Sequence, residues 1–310
     1  MVITEDTLMP KIAFLFPGQG AQYVGMAQAL CDSLSSTRKL FDEAAGILGY
    51  DLLDVCAKGP KELLDSTAVS QPAIYVAGLA ALENLRAQQP GVESDCIATA
   101  GLSLGEYTAL AFAGTLSFAD GLRLVKTRGE AMQSASDATP SGMVSVLGLP
   151  LDAVEQLCAK ARSTGTVQVA NHLCPGNIAV SGVKAACDEI EKLAADFGAM
   201  KTIRLAVAGA FHTDIMRPAD QTLAAALEKT TLQPAKFPVW SNVDAKPHTD
   251  PAEIRSLLVR QVLQPVQWEA TMRSLLAHGV EKFYEIGPQR VLAGLLKRVD
   301  RKLECVNIQA

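Results

Sequence analysis

The chain has 310 residues, 49% of them hydrophobic and 20% charged, with a formal net charge of -5. That balance describes a globular chain with a substantial core and excludes disorder; no apolar run is long and uninterrupted enough to span a bilayer. An acidic balance without an arginine-rich arm argues against a nucleic-acid partner.

Lys11 to Phe16 reads as a first strand, stopped by the glycine loop Pro17-Gly18-Gln19-Gly20 ahead of a helix around Val24 to Ser33. The loop lacks the Gly-Lys-Ser/Thr ending of a P-loop and the Gly-x-Gly-x-x-Gly spacing of a dinucleotide site, which argues against nucleotide binding. Gln71-Pro72 opens a long helix to about Arg86, with proline at an early position where its missing N–H costs nothing. Cys96 to Ala100 is a short apolar run fit for a buried strand, and Glu106 to Ala113 is rich in helix formers. Between them, Gly101-Leu102-Ser103-Leu104-Gly105 has the spacing of a nucleophile elbow. A tight strand-to-helix turn pushes the Ser103 hydroxyl out of the sheet, the glycines remove Cβ atoms that would collide around it, and the unpaired N–H groups of the next helix face it. Ser103 is therefore the first candidate for chemistry.

Ala119 to Gln133 is a further helical run, and beyond it the pattern changes. A strand near Met143 to Leu149, a helix near Leu151 to Arg162, strands near Val167 to Leu173 and Ile178 to Ser181, a helix near Ala185 to Phe197 and a strand near Thr202 to Val207 follow in order. This β-α-β-β-α-β order is ferredoxin-like. The chain then resumes with a strand at Phe237 to Ser241, a helix at Ile254 to Val262 and a strand at Glu281 to Ile286. The expected architecture is α/β: a large α/β-hydrolase-like subdomain with a mainly parallel sheet (residues 10–140 and 208–310), carrying an inserted ferredoxin-like (βαββαβ) subdomain (residues 141–207).

Seven dispersed cysteines, odd in number and without a Cys-x-x-Cys pair, fit reduced thiols, and no histidine pair has metal-ligand spacing. Met1 to Met9 carries two acidic residues and no apolar core, so it does not read as a signal peptide.

A serine hydroxyl is a weak nucleophile at neutral pH and needs a base, usually histidine. Of four histidines, His248 lies in a polar loop and His278 at a helix end, both suited to surface or capping positions, and His172 could be a packed strand residue. His212 follows the small residues Gly209 and Ala210 after a strand, and is the best-placed base, with a satisfied structural histidine as the competing reading. Arg128 on the helical run Ala119 to Gln133 reads, taken alone, as a solvated charge; held near the serine, it would select an acyl group ending in a carboxylate.

At this point the chain resembles the malonyl-CoA:acyl carrier protein transacylases, from about Lys11 to its end. The matching motifs are FPGQGAQ (Phe16 to Gln22), QPA (Gln71 to Ala73), GLSLGEY (Gly101 to Tyr107), TRGEAMQ (Thr127 to Gln133), GAFH (Gly209 to His212), SNVDA (Ser241 to Ala245), RQVLQPVQW (Arg260 to Trp268) and EIGPQRVL (Glu285 to Leu292). The resemblance implies Ser103 as nucleophile, His212 as its base, Arg128 as the clamp for the malonyl carboxylate, and the backbone N–H groups of Gln19 and Leu104 as the oxyanion hole. It also implies that the Gln261 backbone carbonyl takes the place of a triad aspartate, and that Gln71, Asn171 and Phe211 contribute to substrate binding. No cofactor is expected, since coenzyme A and phosphopantetheine enter as parts of substrates, and the partners implied are malonyl-CoA and an acidic acyl carrier protein. A monomer is expected, with no membrane.

Two departures stand out. Many relatives read Gly-His-Ser-Leu-Gly where this chain has Leu102, and Gly-Pro-Gly where it has Gly287-Pro288-Gln289, which puts a tight backbone approach at Gln289 in doubt. GLSLGEYTAL together with ANHLCPGN looks closest to plastid members, implying a chloroplast stromal location, with a bacterial cytoplasm as the alternative. A serine hydrolase of the α/β-hydrolase type competes as a reading, but about a hundred residues follow His212 where that layout places its histidine near the end. A non-catalytic docking protein also competes, though a scaffold has no need of Ser103, His212 and Arg128 together.

Overall fold

The computed structural model describes residues 10–310. The reading of Met1 to Met9 lies outside the described residues. Among the described residues, ten strands follow in chain order: β1 (Ile12–Phe16), β2 (Cys96–Gly101), β3 (Ser141–Leu147), β4 (Val167–Cys174), β5 (Asn177–Val183), β6 (Lys201–Arg204), β7 (Val239–Trp240), β8 (Pro247–His248), β9 (Lys282–Ile286) and β10 (Glu304–Ile308). They form two sheets, one ordered β10-β9-β1-β2-β7-β8 and the other β4-β5-β3-β6. The first is parallel except for the β7–β8 pair, and every pairing in the second is antiparallel. The chain is thus mixed α/β with a mainly parallel sheet and a separate antiparallel one, as its periodicity predicted.

All five residues of β1 are buried, as a parallel strand covered on both faces requires. Side chains alternate across the strand: Ile12, Phe14 and Phe16 enter a core shared with the helix Thr67–Gln88, while Ala13 and Leu15 face a second core with Trp268, Met272 and Leu275. The antiparallel sheet closes its own core, in which Val144, Val146, Val180, Leu157 and Ile190 meet. Two backbone hydrogen bonds couple the parts: the N–H of His172 donates to the Val266 carbonyl at 2.8 Å, and the N–H of Val266 donates to the Ala170 carbonyl at 2.8 Å. They set Asn171 at the junction of the sheets. No helix among the described residues is long and apolar enough to cross a membrane.

Several expected boundaries move. The first helix begins at Gln28, not near Val24, because Gly25 and Ala27 both hold left-handed backbone (φ 106° and 64°) that interrupts a right-handed helix. The long helix begins at Thr67, so Pro72 lies inside it. Its start is set by tertiary structure, since the Thr67 N–H donates to the Gln133 side chain at 2.9 Å and so gains a partner that local sequence does not reveal. The strand expected at Phe237 to Ser241 shrinks to Val239–Trp240; Pro238 has no N–H for the ladder, and only its carbonyl joins, accepting from Thr99 at 3.1 Å. β6 ends at Arg204, short of Val207, whose N–H turns back to the Leu205 carbonyl at 3.0 Å.

Candidate active site

The site forms where β1 and β2 end. Phe16 pairs with Gly101 across the sheet, so the loop of residues 17–20 and the turn of residues 102–104 leave side by side. A Cβ on Gly101 would stand 1.9 Å from the Gly105 carbonyl carbon, and one on Gly105 would stand 2.1 Å from the Phe16 carbonyl oxygen. Only glycine permits backbones this close. Between them Ser103 holds φ 50°, the left-handed conformation of a strained elbow, and the helix Gly105–Phe112 starts directly behind it.

Ser103 Oγ lies 2.9 Å from His212 Nε2 and 3.0 Å from the NH2 nitrogen of Arg128. The guanidinium can only donate, so the hydroxyl accepts from Arg128 and its own hydrogen is free for His212. The other ring nitrogen, Nδ1, is 2.8 Å from the Gln261 backbone carbonyl. A carbonyl can only accept, which puts the proton on Nδ1 and leaves the Nε2 lone pair facing the serine. Burial, reinforced by the positive charge of Arg128, pushes the His212 pKa down to about 4, so the imidazole is neutral at physiological pH.

Arg128 is 2% exposed, which overturns the solvated reading that its helix position alone favours. It projects from the helix Phe118–Ala138 into the site, where NH1 donates to Gln71 Oε1 at 2.7 Å, NH2 donates to Gln261 Oε1 at 3.1 Å, and the Tyr107 ring lies 5.5 Å beneath the guanidinium. Burial works against its charge, and Tyr107 and Glu106 offset part of that effect. Its Nε has no partner. Here the arginine is fixed, directional and under-satisfied, ready for an anionic acceptor.

Gln19, Arg128, Asn171, Phe211 and His212 line a narrow cavity of about 90 Å³ with Ser103, together with Leu102 and Met143. Gln71 is not on its wall; it stands fully buried behind Arg128. The Asn171 Oδ1 atom is buried without a partner. Neither the Gln19 N–H nor the Leu104 N–H is engaged by an acceptor among the described residues, whereas the Ser103 N–H is taken up by Asn242 Oδ1 at 2.6 Å. A larger cleft of about 650 Å³ opens at the opposite ends of the strands, beside Pro10, Gln89 and Lys282, and no histidine lines it among the described residues. Size alone does not mark the site.

The remaining histidines lie elsewhere. His172 is half-buried on β4, His248 sits between Asp244 and Glu253, and His278 caps the helix Trp268–Ala277 with its ring edge-on to Trp240 at 5.0 Å. Gln289 adopts φ 61°, so the glutamine takes up the left-handed backbone for which glycine is better suited, and its carbonyl accepts from Asn307 at 2.8 Å.

Two residues without an expected role complete the site. Asn242 clamps the elbow from both sides, accepting from Ser103 N–H and donating to the Gly101 carbonyl at 2.7 Å. Glu106 accepts from the Asn242 N–H at 3.1 Å and from Gln261 Nε2 at 2.7 Å. The signals were the polar pair Ser241-Asn242 directly after an apolar strand, and an acidic residue in an otherwise apolar helix.

Residues 13–306 match the family described as acyl transferase domain. The chain is 43% identical over 295 residues to the human mitochondrial malonyl-CoA-acyl carrier protein transacylase, covering 91% of this chain and 75% of that protein. It is 40% identical over 301 residues to the malonyl CoA-acyl carrier protein transacylase of Bacillus subtilis, covering 97% and 94%. Among solved structures, the acyl-carrier-protein-S-malonyltransferase of Bartonella henselae superimposes with a TM-score of 0.92 at 35% identity, covering 96% of this chain and 95% of that one. A malonyl-transacylase in complex with a type II PKS acyl-carrier protein does so with a TM-score of 0.92 at 34% identity, covering 96% of each chain. The chain belongs to the malonyl-CoA–acyl carrier protein transacylase family of acyl transferases.

Proposed function

We propose that the protein moves the malonyl group from malonyl-CoA to the phosphopantetheine thiol of acyl carrier protein, through a malonyl ester on Ser103, supplying extender units for fatty acid synthesis. The observation that carries the reading is a single hydroxyl shared between a neutral imidazole at 2.9 Å and a buried guanidinium at 3.0 Å. A nucleophile–base pair alone fits any acyl group; the fixed cation beside it fits an acyl group with a terminal carboxylate.

The incoming malonyl carboxylate replaces Ser103 Oγ as acceptor for Arg128. That exchange frees a lone pair of the hydroxyl as it places the thioester carbonyl beside it. His212 takes the proton, Ser103 attacks, and the Gln19 and Leu104 N–H groups receive the oxyanion; losing one such donor typically costs about 3 kcal/mol of barrier. Coenzyme A leaves as the thiol, taking the proton from His212. The carrier thiol then gives its proton to His212 and attacks the ester, and the Ser103 oxygen leaves with that proton to restore the hydroxyl, a ping-pong sequence between two thioesters that requires no energy source and no cofactor.

Residues 10–140 and 208–310 provide the reacting groups in this reading. The 141–207 subdomain forms a wall through Met143, Asn171, Leu205 and Val207, which with Leu102 and Phe211 supports exclusion of water from the ester. The motifs support a stromal location, which immunoblotting of fractionated organelles tests, and light scattering tests the monomer. The decisive experiment is mass spectrometry of the intact chain after incubation with malonyl-CoA, followed by addition of holo carrier protein. A malonyl adduct on Ser103 that disappears onto the carrier is expected; no adduct, or one lost equally fast to water alone, overturns the reading.

A further inference from the structure

Two glutamates are almost wholly buried among the described residues. Glu285 has an evident structural task, accepting from the N–H groups of Val291, Leu292 and Ala293 around the start of the helix Leu292–Val299. Glu106, 3% exposed, caps nothing, and no step of the transfer uses it. Its Oε2 instead joins Asn242 to Gln261, the two residues that grip the nucleophile's backbone.

Gln261 is in contact with all three reacting groups. Its backbone carbonyl accepts from His212, its Oε1 accepts from Arg128, and its Nε2 donates to the Ser103 carbonyl at 3.0 Å and to Glu106 at 2.7 Å. The amide orientation follows from chemistry: the guanidinium offers only donors, and the carboxylate and Ser103 carbonyl offer acceptors. Turning the amide over would set two donors face to face and strand two acceptors. Glu106 therefore holds the Gln261 amide in the one orientation that also serves Arg128.

We propose that Glu106 is a positioning residue: its carboxylate locks the Gln261 and Asn242 clamps around Ser103 and balances the charge of Arg128 while no acyl carboxylate is bound. The proposal rests on the malonyl-transfer reading above. The charged and titratable groups acting on Glu106 are Arg128 from the helix Phe118–Ala138, which favours its ionised form, and Asp244 from the β7–β8 turn, which opposes it; Tyr107 on its own helix and His212 beside Gln261 complete the surroundings. Burial outweighs them and pushes its pKa up to about 7. A malonyl carboxylate on Arg128 brings a second negative charge into the same dry site, so its binding favours neutral Glu106, with a proton taken from solvent onto the carboxyl group. Above pH 7 that proton becomes scarcer, and malonyl-CoA binds more weakly.

Both donors reach the same oxygen, so Glu106→Gln keeps two acceptor contacts and removes the charge, while Glu106→Leu removes both. The test measures kcat and KM for malonyl-CoA from about pH 6 to 9, and the malonyl-to-acetyl transfer ratio, in the full chain and both variants. The wild-type KM is expected to rise above pH 7, and the Glu106→Gln curve to be flat with kcat largely retained. Glu106→Leu is expected to lose about 10- to 100-fold in malonyl transfer, with a lower malonyl-to-acetyl ratio because Arg128 loses its alignment. A Glu106→Gln curve that follows the wild type overturns the proposal, and decides the matter alone if Glu106→Leu does not fold; so does a folded Glu106→Leu with unchanged kcat and ratio. These results differ from failure of the transfer reading, in which the wild-type chain itself forms no malonyl adduct.

Discussion

The imidazole of His212 leans on the backbone carbonyl of Gln261, 2.8 Å from Nδ1, where a hydrolase triad would place a carboxylate. A neutral carbonyl orients the ring but does little to stabilise a positive charge on it, and Arg128 disfavours that charge further. With the pKa pushed down to about 4, the imidazole stays unprotonated in moderately acidic solution. The acid limb of kcat/KM, which reports the free enzyme, is therefore expected near pH 4 to 5. Steady-state rates with malonyl-CoA across that range check it; a limb centred on the ordinary histidine value of 6.5 would contradict the geometry.

The same shift predicts a stability trend. His212 has a lower pKa folded than unfolded, so between pH 6.5 and 4 the unfolded chain binds more protons. Its contribution is complete above 6.5 and is lost as pH falls through about 4, up to about 3 kcal/mol in all. Glu106 has the opposite sign: raised from 4.5 to about 7, it favours the fold most below 4.5 and loses that as pH rises through 7. Because the two effects offset each other in the wild type between pH 7 and pH 5, thermal melts at these two pH values are expected to show His212→Gln gaining stability relative to the wild type on going to pH 5. Equal changes would show that the buried ring does not titrate as described.

Arg128→Ala is expected to reduce malonyl transfer by about 10²- to 10³-fold, the scale of losing a buried charge-assisted pair. Acetyl transfer should fall far less, because the nucleophile and base are untouched and the uncharged group never used the cation. Arg128→Lys should not restore the rate, since a single ammonium cannot bond Gln71, Gln261 and a carboxylate in one plane. Competition between malonyl-CoA and acetyl-CoA for the carrier measures the ratio directly. An unchanged ratio would remove the arginine from substrate selection.

The antiparallel sheet, four of the six strands of the parallel sheet and the serine elbow were legible in the sequence because each has a local signature, whereas β8 and β10 were not read as strands and His212 stood out only by comparison with the other three histidines. β1 and β2 are short apolar runs, the β3 to β6 segment alternates strands with amphipathic helices, and Ser103 sits between glycines. Arg128 was not legible from its own helix: periodicity marks Leu122, Val125 and Met132 as inward but cannot show that a charge among them finds Gln71 and Gln261 as partners. Asn242 and Glu106 were missed for the same reason, since their roles are hydrogen bonds to residues more than a hundred positions away. The helix start at Thr67 depends on Gln133, a partner with no local signature, whereas the shortness of β7 follows from Pro238 just before it.

Steric closeness at the elbow separates two glycine substitutions that look alike in sequence. Gly105→Ala would drive its methyl to 2.1 Å from the Phe16 carbonyl oxygen and is expected to cost about 3 kcal/mol or more, or to prevent folding, because the atoms it meets are backbone atoms of Phe16 and Pro17. Gly46, exposed on the helix Ser35–Leu48, meets nothing within 4 Å, so Gly46→Ala is expected to raise stability by up to about 1 kcal/mol. Chemical denaturation of the two variants provides the comparison. Similar midpoints would mean that the elbow relaxes far more easily than its contacts allow.

Docking of the carrier raises a question of charge, because in the proposed reaction a chain of net charge -5 would receive the acidic carrier that the resemblance implies. Lys297, Arg298, Arg301 and Lys302 form an exposed basic group at the end of the helix Leu292–Val299 and beyond it, and Arg290 is exposed just before its start. Arg298 donates to the Pro175 carbonyl at 3.2 Å, which sets the group beside the turn between β4 and β5, at the junction of the two sheets. Reversing Lys297 and Arg301 to glutamate is expected to raise the KM for holo carrier several-fold at low salt, with the difference shrinking as added salt screens exposed charges. The KM for malonyl-CoA in the first half-reaction should not change, because neither residue lines the cavity around Ser103. A carrier KM that is unaffected at low ionic strength would place the docking surface elsewhere on the chain.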